Sequence, residues 1–204
     1  MWRMSNLSAE EKLRFENIVD MGLAYSAMIR LFVKGEKVKL QEQFVNSTAE
    51  RLFNITSKQE FDDIHSDFCK WGIKNIFLAE RKRNGIVIKS KGPASYGQIA
   101  KTLDVLLKVV VYYCHLPDLE GSNKLCPWIN AAVDTNMMRE LRENYPNEVQ
   151  PSWPTAIEEV QEKEYLKIQE LVRRAIRELH NDKITPPQYD DIHWRLANQK
   201  YARS

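Results

Sequence analysis

The chain has 204 residues, of which 43% are hydrophobic and 28% charged, with only seven glycines and eight prolines. This length suffices for a hydrophobic core, and the composition excludes low-complexity, collagen-like and proline-rich classes. Lysine plus arginine numbers 30 against 28 for aspartate plus glutamate, so net charge alone does not require a nucleic-acid partner.

The apolar stretches are too short for a membrane span. The longest, residues 105–114, contains Lys108 and falls well short of the ~20 residues that a span needs. The first eleven residues are polar, without the apolar region of a secretory signal. Three cysteines at no framework spacing suit reduced thiols. We therefore expect a cytoplasmic, monomeric protein with no membrane contact.

Helix-start signals punctuate the first part of the chain. Capping boxes begin at Ser8 and Ser57, and each is followed by apolar residues at helical spacing. The predicted helices run over about 8–34, 38–53 and 57–84, the last ending at Asn84-Gly85. The run Ile86-Val87-Ile88 is extended in pattern but too short on its own to predict a sheet.

The most apolar helix begins at the capping box Ser95–Gln98 and ends near His115, before Pro117. Further helices are predicted over about 135–144, 155–181 and 185–201. We therefore predict an all-α fold of six to seven helices. Residues 1–90 and 91–204 form an N-terminal and a C-terminal half, which can also be one compact domain.

Positive charge is concentrated between Lys70 and Lys101, where eight cationic side chains face a single acid, Glu80. Such a stripe neutralises phosphates and gives salt-dependent nucleic-acid binding. A solvated basic surface with no partner explains it equally well.

Three charged residues interrupt the apolar helix: Lys101, Asp104 and Lys108, at spacings of three and four. A helix this apolar is mostly buried, so the charges line a cleft or leave through a narrow exposed seam. In a cleft, a desolvated lysine beside another cation has a lowered pKa and can form a Schiff base with a sugar carbon. Otherwise Asp104 and Lys108 form an ordinary surface pair and Lys101 extends to solvent.

Asp134 follows the apolar lead-in Ala132-Val133 and stands at the start of the next predicted helix. As a helix N-cap it needs no further role. As a carboxylate at the mouth of a cleft it can take part in catalysis.

Three segments, in this order, resemble the helix-hairpin-helix DNA glycosylase superfamily and in particular its archaeal 8-oxoguanine branch. They are a Lys-Thr-apolar helix with a second lysine seven residues on (101–113), a Val-Asp element (132–135), and a Pro-Pro turn before a helix with Asp four residues ahead of Trp (185–194). Lys101 and Asp134 are 33 residues apart, close to the spacing of that branch. The resemblance covers about half of the chain, within residues 95–201.

The resemblance implies an all-α fold with a cleft between two helical halves. It also implies removal of an oxidised purine such as 8-oxoguanine from double-stranded DNA, with or without β-lyase activity, and without a metal or other cofactor. Lys101 would match the Schiff-base lysine and Asp134 the catalytic aspartate. Lys108, Asp190 and Trp194 would line the pocket for the damaged base.

The DNA backbone would be held by the basic stripe and by the first turn of the apolar helix, which can bind a phosphate. The residues so predicted are Arg81, Lys82, Arg83, Lys89, Lys91 and Gly97. Two positions depart from the family: Ile99 replaces a hairpin glycine, and Val105 replaces an aromatic residue that stacks on the base.

Three other interpretations stay open. The chain can be a non-catalytic DNA-binding or structural protein of the same fold. Arg174 and His180 resemble the motif of the helical ribonucleases called HEPN domains, although Ala175 replaces the usual polar residue. His65 and Cys69 lie one helical turn apart, but no Cys-x-x-Cys pair accompanies them as in many zinc sites.

Overall fold

The computed structural model describes residues 1–149 and 152–201, the last five of these by their backbone alone. Its secondary structure is predominantly α-helical, which confirms the predicted all-α class. Within the described ranges, no helix is both long enough and apolar enough to cross a bilayer.

The N-terminal helices begin at the predicted caps. Ser8 accepts a hydrogen bond from the Glu11 N–H at 3.2 Å, and Glu11 returns one to the Ser8 N–H at 2.8 Å. Ser57 caps its helix through the Glu60 N–H at 3.2 Å. The helices are α1 (Ala9–Tyr25), α2 (Glu36–Gln43), α3 (Ala49–Phe53) and α4 (Lys58–Asn75).

Two of these helices are interrupted where the sequence predicted continuity. A 3₁₀ turn over Ala27–Leu31 follows α1, because Ser26 turns its hydroxyl to the Met28 N–H. A π-helical turn over Phe44–Thr48 separates α2 from α3. The single helices predicted there are therefore divided.

A β-hairpin replaces the end of the third predicted helix. The strands are β1 (Phe77–Leu78), β2 (Arg81–Arg83), β3 (Ile86–Lys89) and β4 (Gly92–Pro93); β1 pairs with β4 and β2 with β3, both antiparallel. Asn84 and Gly85 have φ of 51° and 78°, the left-handed pair of a two-residue type I′ turn. The predictions that Asn84-Gly85 ends a helix and that residues 86–88 form no sheet are wrong, because this turn supplies β3 with a partner strand.

The C-terminal helices follow the predictions more closely. They are α5 (Tyr96–Leu107), α6 (Leu119–Leu125), α7 (Thr135–Asn144), α8 (Glu162–His180) and α9 (Pro186–Tyr201). The helix α5 continues as a π-helical turn over Lys108–Tyr113. The helix α6 was not predicted, and α8 starts late because a 3₁₀ turn over Ile157–Glu159 precedes it.

The helix α5 lies at the centre of the packing, and α1 and α4 both pack on it. Gly72 of α4 allows the closest approach, since a Cβ there would lie 2.5 Å from Cγ2 of Ile99. One hydrophobic cluster includes Phe15 and Phe68 from the first 90 residues and Ile168 from the later ones. The two predicted halves therefore share a core, and α5 is buried on almost every side.

Candidate functional site

Lys101 is the exception on α5, because every other residue of this helix is buried and Lys101 is partly exposed. Its amine forms no hydrogen bond or ion pair with any residue that the structure describes. Burial lowers the pKa of Lys101. The charges of Asp134 and Asp190 oppose this shift, whereas Lys108 adds to it, and the net pKa lies below that of an ordinary lysine.

Asp134 lies at the N-cap of α7, where its Oδ1 accepts a hydrogen bond from the Met137 N–H at 2.8 Å. The predicted capping role is therefore confirmed. Its carboxylate is also partly exposed and close enough to raise the pKa of Lys101. The charge of Asp134 therefore acts on an amine that is 33 residues away in sequence.

The second lysine of the motif is neutralised by α9. The Lys108 amine contacts Asp190 and donates to Asp191 at 3.0 Å, and Asp191 also accepts from the Tyr113 hydroxyl at 2.6 Å. Burial alone would lower the pKa of Lys108, but the two carboxylates raise it overall. Burial raises the pKa of Asp190 to about 6, against the opposing effect of Lys108.

Trp194 follows Asp190 by one helical turn and is 59% exposed. It lines a depression together with Asp134, Asp190 and His193, so three of the predicted site residues share one surface. The cavity there measures about 10 Å³, close to the volume needed by a single water. A groove of about 830 Å³ lies elsewhere, lined by Trp153 and by the first turn of α8. The predicted cleft for a base is not confirmed.

Asp104 does not lie with the two lysines. It is buried, where it accepts from the Tyr165 hydroxyl at 2.8 Å and contacts Nε2 of His65 at 3.0 Å. The predicted surface pair with Lys108 is wrong, because a hydrogen-bonding pair from α4 and α8 surrounds this carboxylate. Sequence reasoning missed His65 and Tyr165; the available signal was that a carboxylate on a buried helix face needs buried polar partners.

The helix α8 also fixes the segment that leads to Asp134. Gln169 donates to the Ala131 carbonyl at 2.8 Å and accepts from its N–H at 3.2 Å. Arg173 donates to the Trp128 carbonyl at 2.9 Å and to Oδ1 of Asn130 at 3.1 Å. These bonds satisfy the backbone of an irregular buried segment and thereby set where α7 begins.

Gly97 is enclosed by the protein. Its N–H donates to the Val160 carbonyl at 2.9 Å, and a Cβ at this position would lie 2.4 Å from the Ile157 carbonyl oxygen. The next N–H, that of Gln98, is taken by Ser95 at 3.3 Å. The prediction that Gly97 and this helix start contact a DNA phosphate is therefore wrong, because protein atoms occupy the position of the phosphate.

The other predicted DNA contacts lie on the β2–β3 hairpin and just beyond it. Lys82 pairs with Glu80 at 3.0 Å and Lys89 pairs with Glu158 at 2.7 Å. Arg81, Arg83 and Lys91 are exposed. Both interpretations of the basic stripe, as a DNA surface and as a solvated one, remain predictions.

The two competing constellations form no site of the expected kind. Arg174 is bound by Glu178 at 2.6 Å and by Glu148, so the arginine of the ribonuclease motif is occupied. The Sγ of Cys69 lies 3.7 Å from Nδ1 of His65, and the other ring nitrogen faces Asp104. Across the described residues, we find no group of three or more histidine, cysteine or acidic side chains that could hold a metal.

Comparisons with protein-family models, with curated proteins and with solved structures find no match. The surroundings of Lys101 are therefore the feature of this molecule that bears on its function.

Proposed function

We propose that the chain is a DNA base-excision glycosylase with β-lyase chemistry, acting on an oxidised purine such as 8-oxoguanine. The observation that carries the proposal is the Lys101 amine, which is partly buried, without an ion-pair partner among the described residues, and lowered in pKa. A structural lysine in a protein is normally paired or fully solvated. Desolvation and a second cation, here Lys108, are the two features that activate a lysine as an amine nucleophile.

The chemistry follows from the two groups. The neutral amine of Lys101 attacks C1′ of the deoxyribose, the glycosidic bond breaks, and the purine leaves with the bonding electrons and a proton. The second amine proton passes to the ring oxygen as the sugar opens to an imine. Loss of a C2′ proton then expels the 3′ phosphate and cleaves the strand. Asp134 stabilises the positive charge that develops on the sugar and relays the proton.

A base inside a duplex is out of reach, so the nucleotide must be flipped outward, at a cost of a few kcal/mol. Trp194 offers an exposed ring on which the base can stack. Asp190 accepts and Lys108 donates hydrogen bonds, and together they match a base edge with an adjacent donor and acceptor. These two side chains are paired with each other, and the cavity beside Asp190 is the size of one water. A base can therefore enter only if the pair separates and α9 moves away.

Borohydride trapping tests the proposal. An oligonucleotide duplex with 8-oxoguanine or an abasic site is incubated with the protein and sodium borohydride, which reduces the imine to a stable covalent adduct. We expect an adduct with the wild-type chain and none above background with Lys101→Gln. Lys58→Gln is the matched control, because burial also lowers the pKa of Lys58 while its amine is paired with Asp62 on α4.

An adduct that persists in Lys101→Gln, or its absence from the wild-type chain on both substrates, would overturn the proposal. A second candidate is a non-catalytic DNA-binding protein, which the water-sized cavity at Asp134 and Trp194 favours. Such a protein would retard the duplex in a salt-dependent way and give no adduct.

A further inference from the structure

The β2–β3 hairpin exposes three consecutive apolar side chains. Ile86, Val87 and Ile88 are 70%, 43% and 58% exposed. Single exposed apolar residues are ordinary on a protein surface, but a contiguous apolar run marks a site of interaction. Three consecutive exposed β-branched residues on β3 therefore indicate a surface that binds a partner.

The charge of the same hairpin identifies the chemistry of that partner. Between residues 81 and 91 there are five cationic side chains and no acidic one. Lys82 and Lys89 are paired with glutamates, while Arg81, Arg83 and Lys91 form no ion pair within the part of the chain that the structure describes. Unpaired arginines beside apolar residues suit a polyanion that also offers apolar surface, and duplex DNA is such a polyanion.

The register of β2 and β3 places cationic and apolar side chains on both faces of the hairpin. Arg83 lies opposite Ile86, and Lys82 lies opposite Val87. Residues opposite one another in an antiparallel pair share a face, and successive residues alternate between faces. Each face of the ribbon thus combines a cation with an apolar group. A two-stranded ribbon fits the major groove of B-DNA, which is about 12 Å wide and displays the thymine methyl groups.

The base of the hairpin is fixed beside the candidate site. Lys89 is tied to Glu158 at 2.7 Å, and Arg81, Lys89 and Gln98 line one small cavity. Gln98 belongs to the first turn of α5, and Lys101 lies in the next turn. The base of the hairpin therefore lies beside the buried start of α5.

We propose that the β2–β3 hairpin enters the major groove of duplex DNA, with its unpaired cations on the phosphates and with the apolar residues of one face of β3 against the base edges and thymine methyls. The choice of duplex DNA rests on the proposed function. The contact itself is independent of the Lys101 chemistry.

The test measures binding of an undamaged A·T-rich duplex at several salt concentrations. We expect Ile86→Ser/Val87→Ser/Ile88→Ser to lower the affinity at least about tenfold with an unchanged salt slope, since apolar contacts release no counterions. Arg81→Gln/Arg83→Gln should instead reduce the slope by about one per cation removed. Leu13→Ser/Met21→Ser/Val38→Ser is the matched control, because it removes exposed apolar groups from α1 and α2 and should leave affinity unchanged.

Replacing thymine by uracil in the duplex tests whether β3 contacts the thymine methyl groups in the major groove. Each contacted methyl should contribute up to about fourfold to the affinity of the wild-type chain, and the triple serine variant of β3 should bind both duplexes equally. An equal effect of uracil on both proteins, or retention of full affinity by the β3 variant, would overturn the inference. So would binding to heparin as tight as binding to the duplex.

The two proposals fail separately. Binding is measured on undamaged DNA and should survive Lys101→Gln, whereas trapping requires Lys101. Hairpin-dependent binding without an adduct would refute the glycosylase and leave the groove contact standing. If an adduct forms but the β3 variant binds as tightly as the wild-type chain, the groove contact is refuted and the glycosylase proposal stands.

Discussion

At the scale of single residues, Lys101 shows how a buried helix lowers the pKa of an amine. Ten apolar or neutral neighbours on α5 and one buried aspartate leave it little access to water, which disfavours the charged form. Lys108 adds to this effect, and the carboxylates of Asp134 and Asp190 limit it. The balance among these four groups sets the pH at which the amine becomes neutral.

This balance predicts opposite shifts in the pH dependence of trapping. Asp190→Asn removes an anion that raises the pKa of Lys101, so the midpoint of the trapping rate should move to lower pH. Lys108→Gln removes a cation that lowers this pKa, so the midpoint should move to higher pH. The rate of adduct formation over a pH series that brackets the wild-type midpoint measures both shifts. Equal shifts in the same direction would show that the two residues act only through the structure.

At the scale of elements, the position of Asp134 depends on α8. Residues 127–133 have no helix or strand of their own, and Gln169 and Arg173 supply the hydrogen bonds that this segment lacks. Gln169 is a positioning residue, because it touches the backbone of Ala131 and none of the reacting groups. The proposed chemistry therefore depends on the side-chain amide of Gln169, which fixes the backbone of Ala131, three residues before Asp134.

Replacing this amide should affect both stability and rate. Gln169→Leu leaves the N–H and the carbonyl of Ala131 buried without partners, which should lower the free energy of unfolding by ~1–3 kcal/mol. It should also slow the trapping step more than it weakens duplex binding, since Asp134 shifts while the hairpin does not. Urea denaturation and single-turnover trapping measure the two effects.

Two variants separate positioning from loss of structure. Gln169→Glu keeps the acceptor for the Ala131 N–H and should recover part of the rate. Gln161→Leu removes a glutamine at the exposed start of α8, where the side chain makes no capping bond, and should change neither quantity. A rate that falls only in proportion to the unfolded fraction would argue against positioning.

At the scale of the whole molecule, one buried polar network joins α4, α5 and α8 through His65, Asp104 and Tyr165. Burial lowers the pKa of His65, but the neighbouring Cys69 and Asp104 raise it overall to about 10. Burial raises the pKa of Asp104 as well. Because both pKa values are raised, the folded pair of His65 and Asp104 still holds a proton at a pH at which the unfolded chain has released it.

The linkage predicts a loss of stability in alkali. The folded state binds an extra proton between the unfolded histidine pKa of about 6.5 and the folded value of about 10. The contribution is present in full below about pH 6.5 and is lost as pH rises through that window. Urea denaturation at several pH values should show this decline in the wild-type chain and a flatter profile in His65→Gln. A wild-type stability that rises with pH over this range would contradict the assignment.

Helix starts and the apolar face of α5 were predictable because their causes are local. The side chain of Ser8, Ser95 or Asp134 bonds to a backbone group three residues away, and the helical period of α5 needs no distant partner. The Asn84-Gly85 turn was predictable on the same ground, since Asn-Gly followed by the β-branched run Ile86-Val87-Ile88 is a hairpin signal. The same dipeptide is also typical of a helix end, and that interpretation conceals the hairpin.

In the candidate site, too, local features were predictable from the sequence and non-local ones were not. By itself the sequence determined which residue types were available: a lysine on a buried helix, an aspartate at a helix start, and an Asp and a Trp one turn apart. Only the tertiary structure decided their partners. It gives Lys108 to α9 and Asp104 to His65 and Tyr165, and it leaves Lys101 with no ion pair to any residue that the structure describes. The physical reason is that charge pairing in a core depends on which helices pack together, and residues far apart in sequence carry no local signal of that choice.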